Sequence, residues 1–423
     1  MAVFKIGNYL HSYGRVPRNT LFLYLTHVAT ALISLFFFGI IARRLGVFNF
    51  GVFSYVYAFM TIAQTAGAFG LDMLMIREIA GDREKAMSTV GNTLILKIVF
   101  SSVVLLSVIP IVCFSDTGPV TRKILFMFLP YIVFSNVNLT LWYIGDGYQK
   151  MEYRGIFTVA YYACRTIGGV VLLNFVPSIT ALFFLLVVLE ALFVAVSYLF
   201  ASGCFGKINF EFNVEVLKRN VRFSFPFAVS SILLIFLMRM DILVLNSLKG
   251  EAAVGFYSPA QKLVGLLLLF STAFTSAAYP AMSHSSKMVY DHGYGLFSRA
   301  LKLTFLSGVF FASLFTIFAV PFVKMVFGNE YLVSAGVLRI LAWMCPAYFS
   351  ASLFWVLFAA RNFQHWTTAV CLYGVFIGFG LNFYLVRKMS YLGSALAMVI
   401  FSFFLLALSL LIYHGNRKKL FNL

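Results

Sequence analysis

The sequence predicts an all-α, polytopic membrane protein with about twelve transmembrane helices in two parallel six-helix bundles. Three observations predict it. Of 423 residues, 61% are hydrophobic and only 11% charged, with a mean hydropathy of +0.93. A soluble domain carries about 25% charged and about 45–50% apolar residues. Apolar runs of roughly 20 residues, the length that crosses a bilayer, recur along the whole chain. Similar short motifs also return six spans apart. Backbone groups in lipid must satisfy their own hydrogen bonds, so these runs are expected to be helices. The short alternating segments of a transmembrane barrel do not occur.

The spans fall at about 20–42, 50–75, 91–113, 122–145, 155–175, 179–201, 221–246, 254–281, 300–327, 334–360, 366–386 and 391–413. The polar, mildly basic stretch Met1 to Asn19 lacks the apolar core and cleavage site of a signal peptide, so the first span is expected to direct insertion. Spans five and six form a tight hairpin through Val176, Pro177 and Ser178. The polar segment 202–220, with Lys207, Glu211, Glu215, Lys218 and Arg219, divides the chain. The expected organisation is a bundle over 1–201, a cytoplasmic linker over 202–220 and a bundle over 221–423.

The repeat supports that division. Gly51-Val52-Phe53-Ser54 opens span two and Gly255-Phe256-Tyr257-Ser258 opens span eight. Leu129-Pro130-Tyr131 in span four answers Cys345-Pro346-Ala347-Tyr348 in span ten. An even number of spans per half gives both halves one orientation, a transporter layout.

The formal net charge is +18. In a soluble protein it would suggest nucleic acid; here it follows the positive-inside rule. With the N-terminus cytoplasmic, nineteen loop cations face the cytoplasm. Only Arg43, Arg44, Arg122, Lys123, Lys249, Arg387 and Lys388 face the other side. Both termini are therefore expected in the cytoplasm, with Arg43 and Arg44 on the disfavoured side. The five scattered cysteines show no CxxC or metal spacing, so neither disulfide nor metal is expected.

Ionisable residues inside spans cost several kcal/mol unless paired or wet, which makes each a functional candidate. The cations are Lys97, Arg165, Arg239, Lys262, Lys324 and Arg339; the anions are Asp72, Glu190 and Asp241. Pairing can neutralise at most half of the cations. Arg165 and Glu190 share a depth, and an ion pair or a role at a cavity are equal alternatives. Asp241 is expected to pair with Lys262, leaving Arg239 toward a cavity. Lys97 is expected to snorkel, with a gate or a local pair with Asp72 as the alternative. Lys324 and Arg339 lie near span ends and can snorkel too. Gln64, Asn136, Asn138, Gln261 and Asn382 are expected to make interhelical hydrogen bonds, or to meet sugar hydroxyls. There is no GxxxxGK[ST], HExxH or GxSxG motif and no long extracytoplasmic loop for catalytic residues, so an enzyme is not expected.

Several stretches resemble the polysaccharide flippases of the multidrug/oligosaccharidyl-lipid/polysaccharide exporter superfamily, and most of all the O-antigen (Wzx-type) lipid-linked repeat-unit flippases. They run from Arg18-Asn19-Thr20 through Ile41-Ala42-Arg43-Arg44-Leu45-Gly46 to Gly51-Val52-Phe53-Ser54. Gly70-Leu71-Asp72 with Arg77-Glu78 follows, then Asp241-Ile242-Leu243-Val244-Leu245 and Val254-Gly255-Phe256-Tyr257-Ser258-Pro259-Ala260-Gln261-Lys262-Leu263. Val337-Leu338-Arg339-Ile340-Leu341 and Leu392-Gly393-Ser394-Ala395 complete the set.

The resemblance implies a V-shaped pair of six-helix bundles in the bacterial cytoplasmic membrane. It implies movement of undecaprenyl-diphosphate-linked oligosaccharide to the periplasmic leaflet, with no cofactor and no nucleic acid. Polymerase and chain-length proteins of the same surface-polysaccharide pathway are the implied partners. Arg239, Lys262, Arg165 and Gln261 are then the candidates to hold substrate. Asp241, Glu190, Asp72 and Lys97 are the candidates for coupling or gating. A cation-coupled drug exporter of the same superfamily is the alternative; acidic residues would be expected to dominate its lumen. A membrane glycan polymerase or ligase is the alternative of another class.

Overall fold

The computed structural model describes residues 2–115, 117–284, 290–361 and 363–416, with the side chains of 2–21, 273, 276–284, 290–294, 296 and 364 outside the description. Lys5, Arg15, Arg18, Lys287, Arg417, Lys418 and Lys419, which enter the orientation argument, lie outside the described side chains. Among the described residues the fold is helical throughout. The helices are α1 (Ala2–Ala68), α2 (Leu71–Gly81), α3 (Ala86–Cys113), α4 (Pro119–Phe128), α5 (Pro130–Gly147), α6 (Met151–Phe175) and α7 (Ile179–Phe205). They continue as α8 (Val214–His284), α9 (Tyr290–Ile317), α10 (Ala319–Phe327), α11 (Val333–Leu341), α12 (Met344–Ala360) and α13 (Gln364–Gly415).

Nine apolar helices in the described residues are long enough to cross a membrane. Three of them, of 47, 59 and 51 residues, are too long for one crossing. Each contains a single break, at Gly46, Gly250 or Ser390. Each is therefore two spans joined directly, and the nine helices supply twelve spans. The loops expected near 43–49 and 247–253 shrink to one glycine each, with φ of 73° and 76°. A β-carbon disfavours that left-handed conformation, so glycine is what lets the helix stop and restart within a residue. Large apolar side chains such as Phe36, Leu106, Phe175, Leu199, Phe310 and Phe376 stay exposed. A soluble chain would bury so many; here they face lipid.

Two further spans are broken at matching places. Span four divides into α4 and α5 at Leu129, with Pro130 at the first position of α5. Span ten divides into α11 and α12, with Pro346 in the first turn of α12. Proline lacks an N–H and fits a first turn. The two proline motifs of the sequence repeat thus mark the same structural event in each half.

The chain forms two compact units, one of 1–37 with 60–231 and one of 38–59 with 232–423. In the first, α5 packs on α2, α3, α6 and α7. Its core gathers Ile79, Val90, Leu141, Trp142, Phe157 and Tyr161. In the second, α12 packs on α9 and α13, around Phe297, Leu353, Phe354, Phe358 and Tyr413.

These units follow other boundaries than the expected linker 202–220. The linker is tied to the first unit. The Asn209 N–H donates to the Met87 carbonyl (3.3 Å), the Ser88 hydroxyl to Glu211 (2.9 Å), and Arg219 pairs with Glu78 (3.2 Å). The start of α8 follows it, with the Phe225 ring 6.4 Å from that of Phe69. Conversely, the hairpin 38–59 at the break of α1 groups with the second unit.

Candidate functional site

Four of the eight candidates, Asp72, Lys97, Arg165 and Glu190, lie in the first unit, and four, Arg239, Asp241, Gln261 and Lys262, in the second.

In the first unit, α5 is the spine of a buried polar network. Lys97 on α3 is fully buried. Its ammonium donates to Asp72 Oδ1 at 2.6 Å and to the Asn136 carbonyl at 3.4 Å. The expectation that Lys97 snorkels is thereby corrected. Its side chain turns inward, because an apolar helix offers a carboxylate one helix away and water only at its end. Asn136 in turn donates to Ser101 Oγ (2.9 Å) and to the Gln64 carbonyl (3.1 Å).

Two residues further along α5, Asn138 Nδ2 donates to Glu190 Oε2 (2.6 Å) and to its backbone carbonyl (3.0 Å). The Tyr161 hydroxyl also bonds the Glu190 carboxylate. Glu190 is thus held by a carboxamide and a phenol, with the Arg165 charge acting on it as well. The Arg165 guanidinium lies over the rings of Tyr162 (4.4 Å) and Phe37 (4.7 Å) and donates to Ser34 Oγ (3.2 Å). From the span ends at Phe175 and Ile179, Arg165 and Glu190 are ten and eleven residues in. At about 1.5 Å per residue that is ~15 Å, half of a ~30 Å hydrocarbon layer.

The second unit repeats the arrangement. Asp241 on α8 is buried. It accepts from the Tyr257 hydroxyl (2.7 Å), Gln261 Nε2 (2.8 Å) and the Ile242 N–H (2.8 Å). Again a phenol and a carboxamide hold the carboxylate, and the expected pair with Lys262 is corrected. The Lys262 ammonium sits over the Phe38 ring at 4.5 Å. Ser394, whose hydroxyl donates to Asn382 Oδ1 (3.2 Å), lies beside the Tyr257 hydroxyl. Arg239 is half-buried, and its Nε is buried with no hydrogen-bond partner among the described residues. Counted from the break at Gly250, Arg239 and Lys262 are eleven and twelve residues away on opposite sides. Both therefore stand about 16–18 Å in, at one depth. Lys324 and Arg339 are exposed, as their places near span ends suggest.

The sequence reading missed the two tyrosines. Each stands one helical turn before a named candidate, Tyr161 before Arg165 and Tyr257 before Gln261, a spacing that puts them on one face. It also missed Asp146, whose carboxylate pairs with Arg154 at 2.7 Å, while Arg154 lies over the Tyr143 ring (5.0 Å).

The profile of the family described as "Polysaccharide biosynthesis protein" matches residues 16–286, well over half of the chain. The chain belongs to this polysaccharide biosynthesis protein family. It is 22% identical over 339 residues to the Escherichia coli (strain K12) protein named "Putative O-antigen transporter", covering 77% of this chain and 79% of that one. Two solved structures share its fold. One is the lipid II flippase MurJ in an inward closed conformation (TM-score 0.76, 14% identity, 95% of this chain and 89% of that one). The other is a multidrug resistance MATE family transporter of the MOP superfamily in an inward-facing conformation (TM-score 0.74, 16% identity, 92% and 94%). The polysaccharide biosynthesis protein described here is thus a multi-pass membrane protein with a transporter fold.

Proposed function

We propose that the chain is a flippase, moving undecaprenyl-diphosphate-linked oligosaccharide units, of O-antigen or a similar surface polysaccharide, across the bacterial cytoplasmic membrane by alternating access. Both termini are then cytoplasmic, and no covalent step is required. Polymerase and chain-length proteins are its partners in the pathway. The carrying observation is Arg239, a half-exposed residue at mid-membrane depth whose buried Nε has no hydrogen-bond partner among the described residues. A permanent cation so placed suits an anionic ligand in a hydrated site, since guanidinium forks match diphosphate oxygens. Lys262 and Arg165 lie over aromatic faces, and each adds a cation within its own unit. Asp241 and Glu190 moderate that charge, as a carrier that binds too tightly would not release. Gln261 already donates to Asp241, and its buried Oε1 has no partner among the described residues, a site for a sugar hydroxyl. Asp72 with Lys97 is the first unit's coupling pair.

Arg239→Ala is expected to reduce surface-glycan display and export of lipid-linked units at least about tenfold, as for loss of one charge-assisted contact. Arg239→Lys is expected to retain part, because charge survives without the fork. Normal glycan display in an Arg239→Ala strain with normal protein levels would remove this reading of the site.

A further inference from the structure

The joints between spans one and two, seven and eight, nine and ten, and eleven and twelve each follow an odd number of crossings. They therefore fall on one face of the membrane, opposite the termini. All four belong to the second unit, where they form one cap. A β-carbon on Gly51 would overlap the Glu251 carbonyl oxygen, and one on Gly255 the Val47 carbonyl oxygen, so the α1 joint lies backbone to backbone on the α8 joint. The Arg43 guanidinium donates to the carbonyls of Lys324 (3.4 Å), Met325 and Val326 (3.1 Å), at the end of α10. The Tyr331 hydroxyl donates to the Ala42 carbonyl (3.1 Å). Ser334 on α11 donates to the Phe256 carbonyl (2.6 Å). The Phe256 ring lies 5.9 Å from that of Tyr391, the residue after the α13 break at Ser390.

This cap is strongly positive. It carries Arg43, Arg44, Lys249, Lys324, Arg387 and Lys388, all exposed, against the carboxylates of Glu251 and Glu330. Among the described residues none of these cations is ion-paired. The carbonyls that end α10, the negative end of its dipole, give Arg43 a use. The others stand, in the proposed orientation, where the positive-inside rule disfavours them.

Two of them show what they meet. On α13, Phe376, Phe379 and Phe383 are exposed, and their spacing of three and four residues puts them on one helical face that runs up to Arg387. In a membrane that face meets lipid. The Arg387 guanidinium lies over the Phe383 ring at 3.9 Å. The Lys388 ammonium lies over the Tyr384 ring at 4.4 Å and donates to its hydroxyl (2.6 Å). Long basic side chains laid on aromatic rings at the end of a lipid-facing stripe stand at the level of the headgroups.

We propose that this cap binds anionic phospholipids, gathering their phosphates in the leaflet opposite the termini, the outer one in the proposed orientation. Its cations are spread over four joints, which suits several singly charged headgroups. One diphosphate would need donors converging on a point, and Arg43 and Lys388 spend donors on the protein. The binding is independent of the flippase reading. It gives the disfavoured cations a use, holding the cap of the second unit in its leaflet.

The test uses the full chain in lipid nanodiscs, with its five cysteines replaced by alanine. A fluorophore is placed on a cysteine replacing Met389, an exposed neighbour of Lys388. Lipids with brominated chains quench it on contact. Brominated phosphatidylglycerol is expected to reach half-quenching at about fivefold lower mole fraction than brominated phosphatidylcholine, as for one well-placed cation per headgroup. Arg44→Gln, Lys249→Gln, Arg387→Gln and Lys388→Gln together are expected to abolish that preference. Arg83→Gln, Lys85→Gln, Lys207→Gln and Lys218→Gln, on the face of the termini, are expected to leave it intact. Equal quenching by the two lipids in the parent, or a preference that survives the four cap substitutions, would overturn the proposal. Displacement of the brominated phosphatidylglycerol by trace undecaprenyl diphosphate would also overturn it, assigning the cap to the carrier lipid. If the cap variant does not fold, salt decides: a parent preference unchanged at about 0.5 M salt, where exposed charges are screened, would overturn it too.

Discussion

Asp72→Asn is expected to destabilise the protein by about 3–5 kcal/mol, the usual cost of removing one partner from a buried ion pair. Lys97 is the more vulnerable member. It is fully buried, whereas the Asp72 side chain keeps 18% of its exposure. Without Asp72, the ammonium keeps, among the described residues, only the Asn136 carbonyl at 3.4 Å as an acceptor, a poor substitute in an apolar bundle. Lys97→Met leaves the partly wet carboxylate instead and is expected to cost less. The double variant Asp72→Asn with Lys97→Met removes both charges and is expected to return close to the parent. Thermal unfolding in detergent measures the order: parent and double variant highest, Lys97→Met next, Asp72→Asn lowest. An Asp72→Asn protein as stable as the parent would show that the pair does not hold α2 to α3.

Asp241→Ala is the second large effect. The carboxylate is the common acceptor for the Tyr257 hydroxyl, Gln261 Nε2 and the Ile242 N–H. Each buried donor left without a partner costs about 1–3 kcal/mol. The change also removes a negative charge that interacts with Arg239. Stability is expected to fall by a few kcal/mol, and glycan export by more than about tenfold. Tyr257→Phe removes one donor and leaves two for the carboxylate, so it is expected to cost only about 1 kcal/mol. Unfolding temperatures with export rates check this. Equal losses in Asp241→Ala and Tyr257→Phe would mean that the phenol, not the carboxylate, organises the cluster.

The apolar runs made the twelve crossings legible, because bilayer thickness fixes their length whatever packs against them. The joints were less so. Arg43, Arg44 and Asn49 give 43–49 the composition of a loop, yet α1 runs through it and stops only at Gly46. The signal was present as Gly46 and Gly250 at the repeat spacing. Charge counting located the buried carboxylates but missed the donors that hold them. It looks for cations, and Glu190 and Asp241 are satisfied by uncharged phenols and carboxamides, which avoid the desolvation cost of a second buried ion. Lys97 was misjudged for a related reason. Whether a lysine snorkels depends on what faces it across the bundle, which no single-helix pattern contains. The grouping of 38–59 with the second unit arises from backbone contacts at Gly51 and Gly255, where the sequence shows only a short matching motif.

The most direct measurement of the central claim is leaflet exchange in proteoliposomes. The purified chain is reconstituted with a fluorescent undecaprenyl-diphosphate oligosaccharide, and a membrane-impermeant quencher is added outside. The parent is expected to move protected fluorophore to the quenched leaflet faster than protein-free vesicles, and Arg239→Ala to lose most of that gain. Equal quenching kinetics with and without the parent protein would contradict a flippase.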